Sequence, residues 1–166
     1  TSTTEDYAAA LKEKRVLTPV DHPDPAHCII TGTGLTHLGS AAARDGMHKK
    51  LSGAKEELTD SLKMFKMGLE GGRPKSKSEA GVQPEWFYKG DGSWLVGPGK
   101  PLPMPAFALD GGEEPELAGL YVIDDKGRPV RLGFALGNEY SDHVTERQNY
   151  LYLAHSKLRH SSIGPE

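Results

Sequence analysis

Apolar residues in this chain come almost only in short runs, each closed off by glycine or proline, and this punctuation limits the fold more than any other feature. Twenty glycines and twelve prolines are spread between the runs instead of gathered in one tract. Such spacing favours many short strands joined by turns. From Trp86 onward the runs predict strands over residues 86–89, 93–96, 106–109, 116–123 and 130–136, and 150–153 enters another. Asp124, Asp125, Lys126 and Gly127 make a hairpin turn between 116–123 and 130–136. Before Trp86, residues 28–33 predict a buried strand. Helical spacing is confined to 5–14, to a segment that Ser40 would cap, to 55–67 with Leu58, Leu62 and Phe65 on one face, and to 138–148. The expected class is α+β, mostly β with a few helices.

Bulk properties narrow the function. A chain of 166 residues suits one domain, 1–166, with the Gly-, Lys-, Ser- and Pro-rich stretch 71–84 as a mobile loop. Twenty-three acidic against twenty basic residues give a net charge of -3, and no basic stripe is present, so nucleic acid is not an expected partner. No window reaches the eighteen or so apolar residues of a spanning helix, so no membrane is expected either. The start lacks a basic and then apolar leader. The lone cysteine, Cys28, reads as a buried core thiol in a reducing cytoplasm.

The chemistry is concentrated in carboxylates. Glu114 and Glu116 flank Pro115 at the opening of a strand, and alternation along a strand sends both to one face. Like charges side by side on an apolar strand are costly unless a positive group lies between them. The following strand returns antiparallel and delivers Glu139 to the same neighbourhood. Asp142 and His143 could join it, or form a pair on a helix surface. Oxygen donors without histidine or cysteine suit magnesium first, with manganese or calcium as alternatives. The plain rival is a solvated acidic turn.

These residues resemble the fumarylacetoacetate hydrolase superfamily, whose metal site is similar to a Glu-x-Glu strand start followed by a hairpin and an Asn-Asp turn, here Glu114, Glu116, Asn138 and Glu139. Glutamate at 139 replaces the usual aspartate. Phe87, Lys89 and Ser93 resemble the family's Phe-x-Lys-x-x-x-Ser strand, in which the lysine faces the pocket; a surface lysine is the rival. Gly34, Thr36, Ser40 and Arg44 resemble a loop of its 2-keto-3-deoxy sugar acid dehydratases. Hydrolases of the superfamily carry histidine followed three residues later by glutamate, whereas here His37 is followed by Ser40. Asn149, Leu151, Tyr152, Leu153 and Lys157 resemble the same dehydratase branch; an alternative register would put His155 at the lysine position. His143 stands where the family often has arginine.

The resemblance implies a mixed β roll, incomplete here because family members extend on both sides of such a segment, and usually a homodimer. It implies a magnesium-dependent lyase of sugar-acid (pentose) breakdown. That enzyme would dehydrate a 2-keto-3-deoxy pentonate, its small-molecule 2-keto acid partner, through a metal-stabilised enolate. Glu114, Glu116 and Glu139 would hold the metal. Lys157, or a water held by Thr36 and Ser40, would move the proton, while Lys89, Arg44, Gly34 and His37 would bind substrate. The alternatives are a hydrolase cleaving a carbon-carbon bond of a diketo acid and a catalytically inactive binding module.

Overall fold

The computed structural model describes residues 4–52 and 58–165. The chain divides into two compact units: residues 31–87, and residues 1–30 with 88–166. The first of these holds α2 (Leu38–Ser52), α3 (Asp60–Gly71) and most of a two-stranded sheet of β1 (Ile29–Gly34) and β2 (Glu85–Asp91). Thr59 caps α3, its hydroxyl accepting from the Leu62 N–H while donating to Asp45.

The other unit carries a four-stranded sheet in the order β3-β6-β5-β4, made of β3 (Leu95–Val96), β4 (Pro115–Ile123), β5 (Pro129–Asn138) and β6 (Ser161–Ile163). Its helices are α1 (Tyr7–Lys12), α4 (His143–Gln148) and α5 (Leu153–Lys157). β4 and β5 are antiparallel, paired from Ile123↔Pro129 back to Pro115↔Asn138 with one irregularity at Leu120/Tyr121. The turn between them closes through Asp124, whose carbonyl accepts from Gly127 N–H and whose amide donates to Arg128. Gly127, at φ 74°, takes the left-handed conformation that this turn requires. The last strand, β6, inserts between β5 and β3, parallel to β3 and antiparallel to β5.

The interior is unusually polar. Among the described residues the largest fully buried side chains are Arg159, Lys89, Asp142, Ser141 and Ser156, while Leu120, Ala135 and Tyr140 supply apolar burial in the sheet unit. Conversely, the β4–β5 pair leaves Leu117 67% and Leu136 77% exposed. An interior of this kind depends on most of its buried polar groups finding partners, so it is specified by hydrogen bonds more than by volume.

Several expectations need correction. Residues 106–109 form turns, not a strand, held by Ala108 N–H to Pro105 C=O. Residues 150–153 belong to a 3-10 turn (Tyr150–Tyr152) and the start of α5, with Leu151 and Tyr152 exposed. Residues 92–94 form a 3-10 turn before a two-residue strand. Ser40 is not a cap, since α2 begins at Leu38 and the His37 ring accepts the Ser40 N–H. The helix expected over 55–67 starts at Asp60; residues 55–57 lie outside the described ones. The helix expected from 138 starts at His143, because Asn138 is still on β5. β1 is only partly buried, with Ile29 largely exposed, and Cys28 is half-buried.

No helix among the described residues is long and apolar enough to cross a membrane.

Candidate metal centre

The antiparallel register brings the carboxylates together. Pairing does not stop at Pro115↔Asn138: the Glu139 N–H donates to the Glu114 carbonyl at 2.8 Å, and Gly112 and Ser141 exchange both backbone hydrogen bonds at 2.8 and 2.9 Å. Glu114 therefore lies opposite Glu139. Glu116 faces Gly137, which has no side chain, and so is the diagonal neighbour of Glu139. One carboxylate oxygen from each of Glu114, Glu116 and Glu139 falls within 4.8 Å of the others. Oxygens around a small octahedral cation at about 2.1 Å are themselves roughly 3–4 Å apart, so small side-chain adjustments within the trio suffice to make a ligand set. Glu139 is buried, Glu114 intermediate and Glu116 exposed, which leaves one side open to a ligand.

Positive charge already finds this place. Lys157, at the end of α5, directs Nζ to Glu114 Oε1 at 2.6 Å and Oε2 at 2.8 Å, and lies 3.0 Å from Glu139 Oε1. It is Lys157 and not the exposed His155 that reaches the carboxylates. Burial alone would lower the lysine's pKa, but the charges of Glu139 and Glu114 outweigh it and raise the value, keeping the ammonium charged. The two glutamates respond in opposite directions. Burial raises Glu139, and the charges of Lys157 and Lys89 do not undo that against the charge of Glu114. At Glu114 burial also pushes upward, yet two bonds from Lys157 and one from His143 reverse the shift. Three carboxylates against the two ammonium groups of Lys157 and Lys89 leave negative charge over. The donor set, all hard oxygen, fits a divalent cation such as magnesium.

The loop carrying Glu139 is clamped. Ser141 Oγ donates to the Glu139 carbonyl at 2.8 Å, and the Asp142 N–H donates to Ser156 C=O at 3.1 Å. Lys89, on β2 and 1% exposed, donates through Nζ to the carbonyls of Tyr140 at 2.5 Å and Lys157 at 3.0 Å. It is thus a buried lysine, not a surface one, joining the main chain of two segments that bear site residues. Burial lowers its pKa to about 8, with Glu139 opposing and Lys157 adding to the shift. Gly90, one residue on, takes φ 136°, and a Cβ there would meet the Trp94 ring at 2.9 Å; Trp94 in turn stacks on His160.

Asp142, expected either to join the carboxylates or to pair with His143 on a helix surface, is instead the fully buried anchor beneath the site. Its Oδ1 accepts from Thr145 N–H at 2.8 Å as the cap of α4. Its Oδ2 accepts from Leu109 N–H and Thr145 Oγ1 at 2.8 Å and from Arg159 Nη2 at 3.1 Å. Burial works against its charge, but these four donors more than reverse that and hold the carboxyl at about 2. A depressed folded-state value contributes stability that is complete above the ordinary aspartate range and is lost as pH falls through about 2. Urea unfolding midpoints should therefore decline between about pH 4 and pH 2, with Asp142 contributing on the order of 2 kcal/mol of the loss. A variant with Asn at 142 should lack that share of the acid dependence.

The remaining expected site residues belong to the 31–87 unit. There Arg44 Nη1 pairs with Glu85 Oε1 at 3.1 Å, both partly buried. Gly34 lies against the same glutamate, since a Cβ would come within 2.0 Å of Glu85 Oε2. Ser40 Oγ donates to the His37 carbonyl at 3.0 Å, and Thr36 lies in the turn between β1 and α2.

No family model matches the sequence, and no curated protein matches it. Solved structures do. An apo form of 2-keto-3-deoxy-D-arabinonate dehydratase matches with TM-score 0.61 at 23% identity, and a hexagonal crystal form of 2-keto-3-deoxyarabinonate dehydratase with 0.60 at 24%. A third, 2-keto-3-deoxy-D-arabinonate dehydratase complexed with magnesium and 2,5-dioxopentanoate, matches with 0.59 at 24%. Each match covers 99% of this chain and 48% of the other, so the chain spans about half the length of these enzymes. Over that half, the chain shares the α+β fold of these solved dehydratase structures.

Proposed function

We propose that this chain is the metal-binding part of a magnesium-dependent lyase that dehydrates a 2-keto-3-deoxy sugar acid of the pentonate type. The observation that carries the reading is the convergence of Glu114, Glu116 and Glu139 within 4.8 Å around excess negative charge, in a fold shared with dehydratases of such acids. Glu114, Glu116 and Glu139 would hold the divalent cation. Bound there, it would supply Lewis acidity toward the 2-keto oxygen and countercharge as the C3 proton leaves.

The chain's own groups then have separable tasks. Lys157 holds Glu114 and Glu139 close and favours their charged forms, and its ammonium would add positive charge beside the substrate's reacting end. While so paired it has no lone pair, so removing the C3 proton by Lys157 requires that it first release its own. Lys89, expected as a substrate contact, has two of its donors on carbonyls, and in this reading it holds the main chain around the site. Thr36, Ser40, Arg44, Gly34 and His37 enter the proposal through the resemblance alone, as the loop that would orient the acid and a proton-carrying water.

The reaction removes the C3 proton and the C4 hydroxyl as water and leaves the five-carbon skeleton intact; the C3=C4 alkene so formed then tautomerises, hydrogens from C5 and its hydroxyl passing to C3 and C4, to give 2,5-dioxopentanoate from a 2-keto-3-deoxy pentonate. Incubation of the protein with magnesium and such a pentonate, followed by NMR, should show the aldehyde of that product growing in and ceasing to grow when a chelator is added. Pyruvate with a second fragment would instead indicate carbon-carbon cleavage and overturn the dehydratase reading. Absence of turnover with saturable magnesium binding would point to a binding module.

A further inference from the structure

Resting on the reading of the glutamate trio as a cation site, we propose that His143 is a positioning residue that fixes the Glu114 carboxylate in its ligating orientation, and that residue 112 is glycine so that the imidazole can lie where it does. The His143 Nε2–H donates to Glu114 Oε1 at 2.7 Å. The same oxygen receives Lys157 Nζ at 2.6 Å. With Lys157 alone, the carboxylate could follow a flexible four-carbon stem. Donors from two different elements, the start of α4 and the end of α5, leave it one orientation.

The imidazole is itself confined on its other edge. Its Nδ1 faces Asp110 Oδ2 at 3.7 Å, and the Nδ1–Cε1 edge of its ring lies closest to the Cβ position of residue 112. A Cβ on Gly112 would sit 2.3 Å from Nδ1, 2.5 Å from Cε1 and 3.0 Å from Cγ, distances no real side chain tolerates. Residue 112 cannot retreat, because it exchanges both backbone hydrogen bonds with Ser141 on the strand that carries Glu139. Nor can the base of the histidine swing, since it follows the buried cap residue Asp142. Asp110, Gly112, His143 and Glu114 thus form a stack in which each member limits the next, with the ligand carboxylate at its end. Partners that orient a metal ligand in this way commonly change metal affinity about 10–100-fold when removed.

Binding of Mn2+ as a spectroscopic probe, measured by the electron paramagnetic resonance of the free ion, separates this role from the site itself. In the 166-residue chain, Glu139→Gln should abolish saturable binding. His143→Ala should weaken it about 10–100-fold with an unchanged unfolding midpoint. His143→Gln, whose amide nitrogen can occupy the place of Nε2, should restore most of the affinity, and Gly112→Ala should weaken binding as His143→Ala does, by displacing the ring. Wild-type affinity in His143→Ala, alongside loss in Glu139→Gln, overturns the positioning role and leaves the metal site standing. No binding by wild type, or equal binding by Glu139→Gln, overturns the metal reading and this role with it. Should His143→Ala fail to fold, the Gly112→Ala result decides: undiminished affinity there overturns the proposal.

Discussion

Glu139→Gln is expected, on the dehydratase proposal, to lower the dehydration rate by about a thousandfold or more at any magnesium concentration, because several kcal/mol of charge stabilisation would be lost with the cation, at about 1.4 kcal/mol per decade. The substitution is nearly isosteric, so the loop clamped by Ser141 and Lys89 should remain in place. What changes is charge. The buried carboxylate has Lys157 3.0 Å away from Oε1, and an amide nitrogen in that position would set donor against donor. Steady-state rates with a magnesium titration, together with an unfolding curve showing a folded variant, check the result. A folded variant retaining a rate within tenfold of wild type would remove Glu139 from the metal site.

Asp142→Asn should have the largest effect on stability, about 3–5 kcal/mol, as expected when one partner of a buried ion pair is removed and its charge is left behind. Arg159, 1% exposed, would face an amide instead of a carboxylate, and the donors of Leu109 and Thr145 now meeting Oδ2 would oppose an NH2 group. For a chain of this size the melting temperature should fall by roughly 6–20 °C. Combining the change with Arg159→Met should recover part of the loss, because the orphaned charge goes with its partner. A double variant as unstable as the sum of its singles would show that the two residues do not act as a pair. Since Asp142 lies between Glu139 and His143, magnesium affinity should fall in Asp142→Asn even where the protein remains folded.

Legibility from sequence tracked the range of the interaction. The hairpin of β4 and β5 and its turn at Asp124–Gly127 were readable because alternation and turn chemistry are local, and Glu114, Glu116 and Glu139 could be grouped because antiparallel register follows from the turn. Segments where the same composition allows two outcomes were misread. Tyr150, Leu151, Tyr152 and Leu153 have the bulk for a strand but lie in a 3-10 turn and helix that carry Lys157 to the carboxylates. Ala106–Leu109, equally apolar, forms turns whose Leu109 N–H is taken by Asp142.

By itself, then, the sequence determined the class of structure, the paired strands, and which oxygen donors could share an ion, because periodicity along a chain and residue chemistry act over a few positions. Only the tertiary structure decided that Lys157 rests between Glu114 and Glu139, that Lys89 is buried on two carbonyls, and that His143 and Gly112 lie beside Glu114. Those partners stand 18 to 68 positions apart. A buried polar group finds its partner through packing in three dimensions, and no spacing along the chain encodes which one it will be.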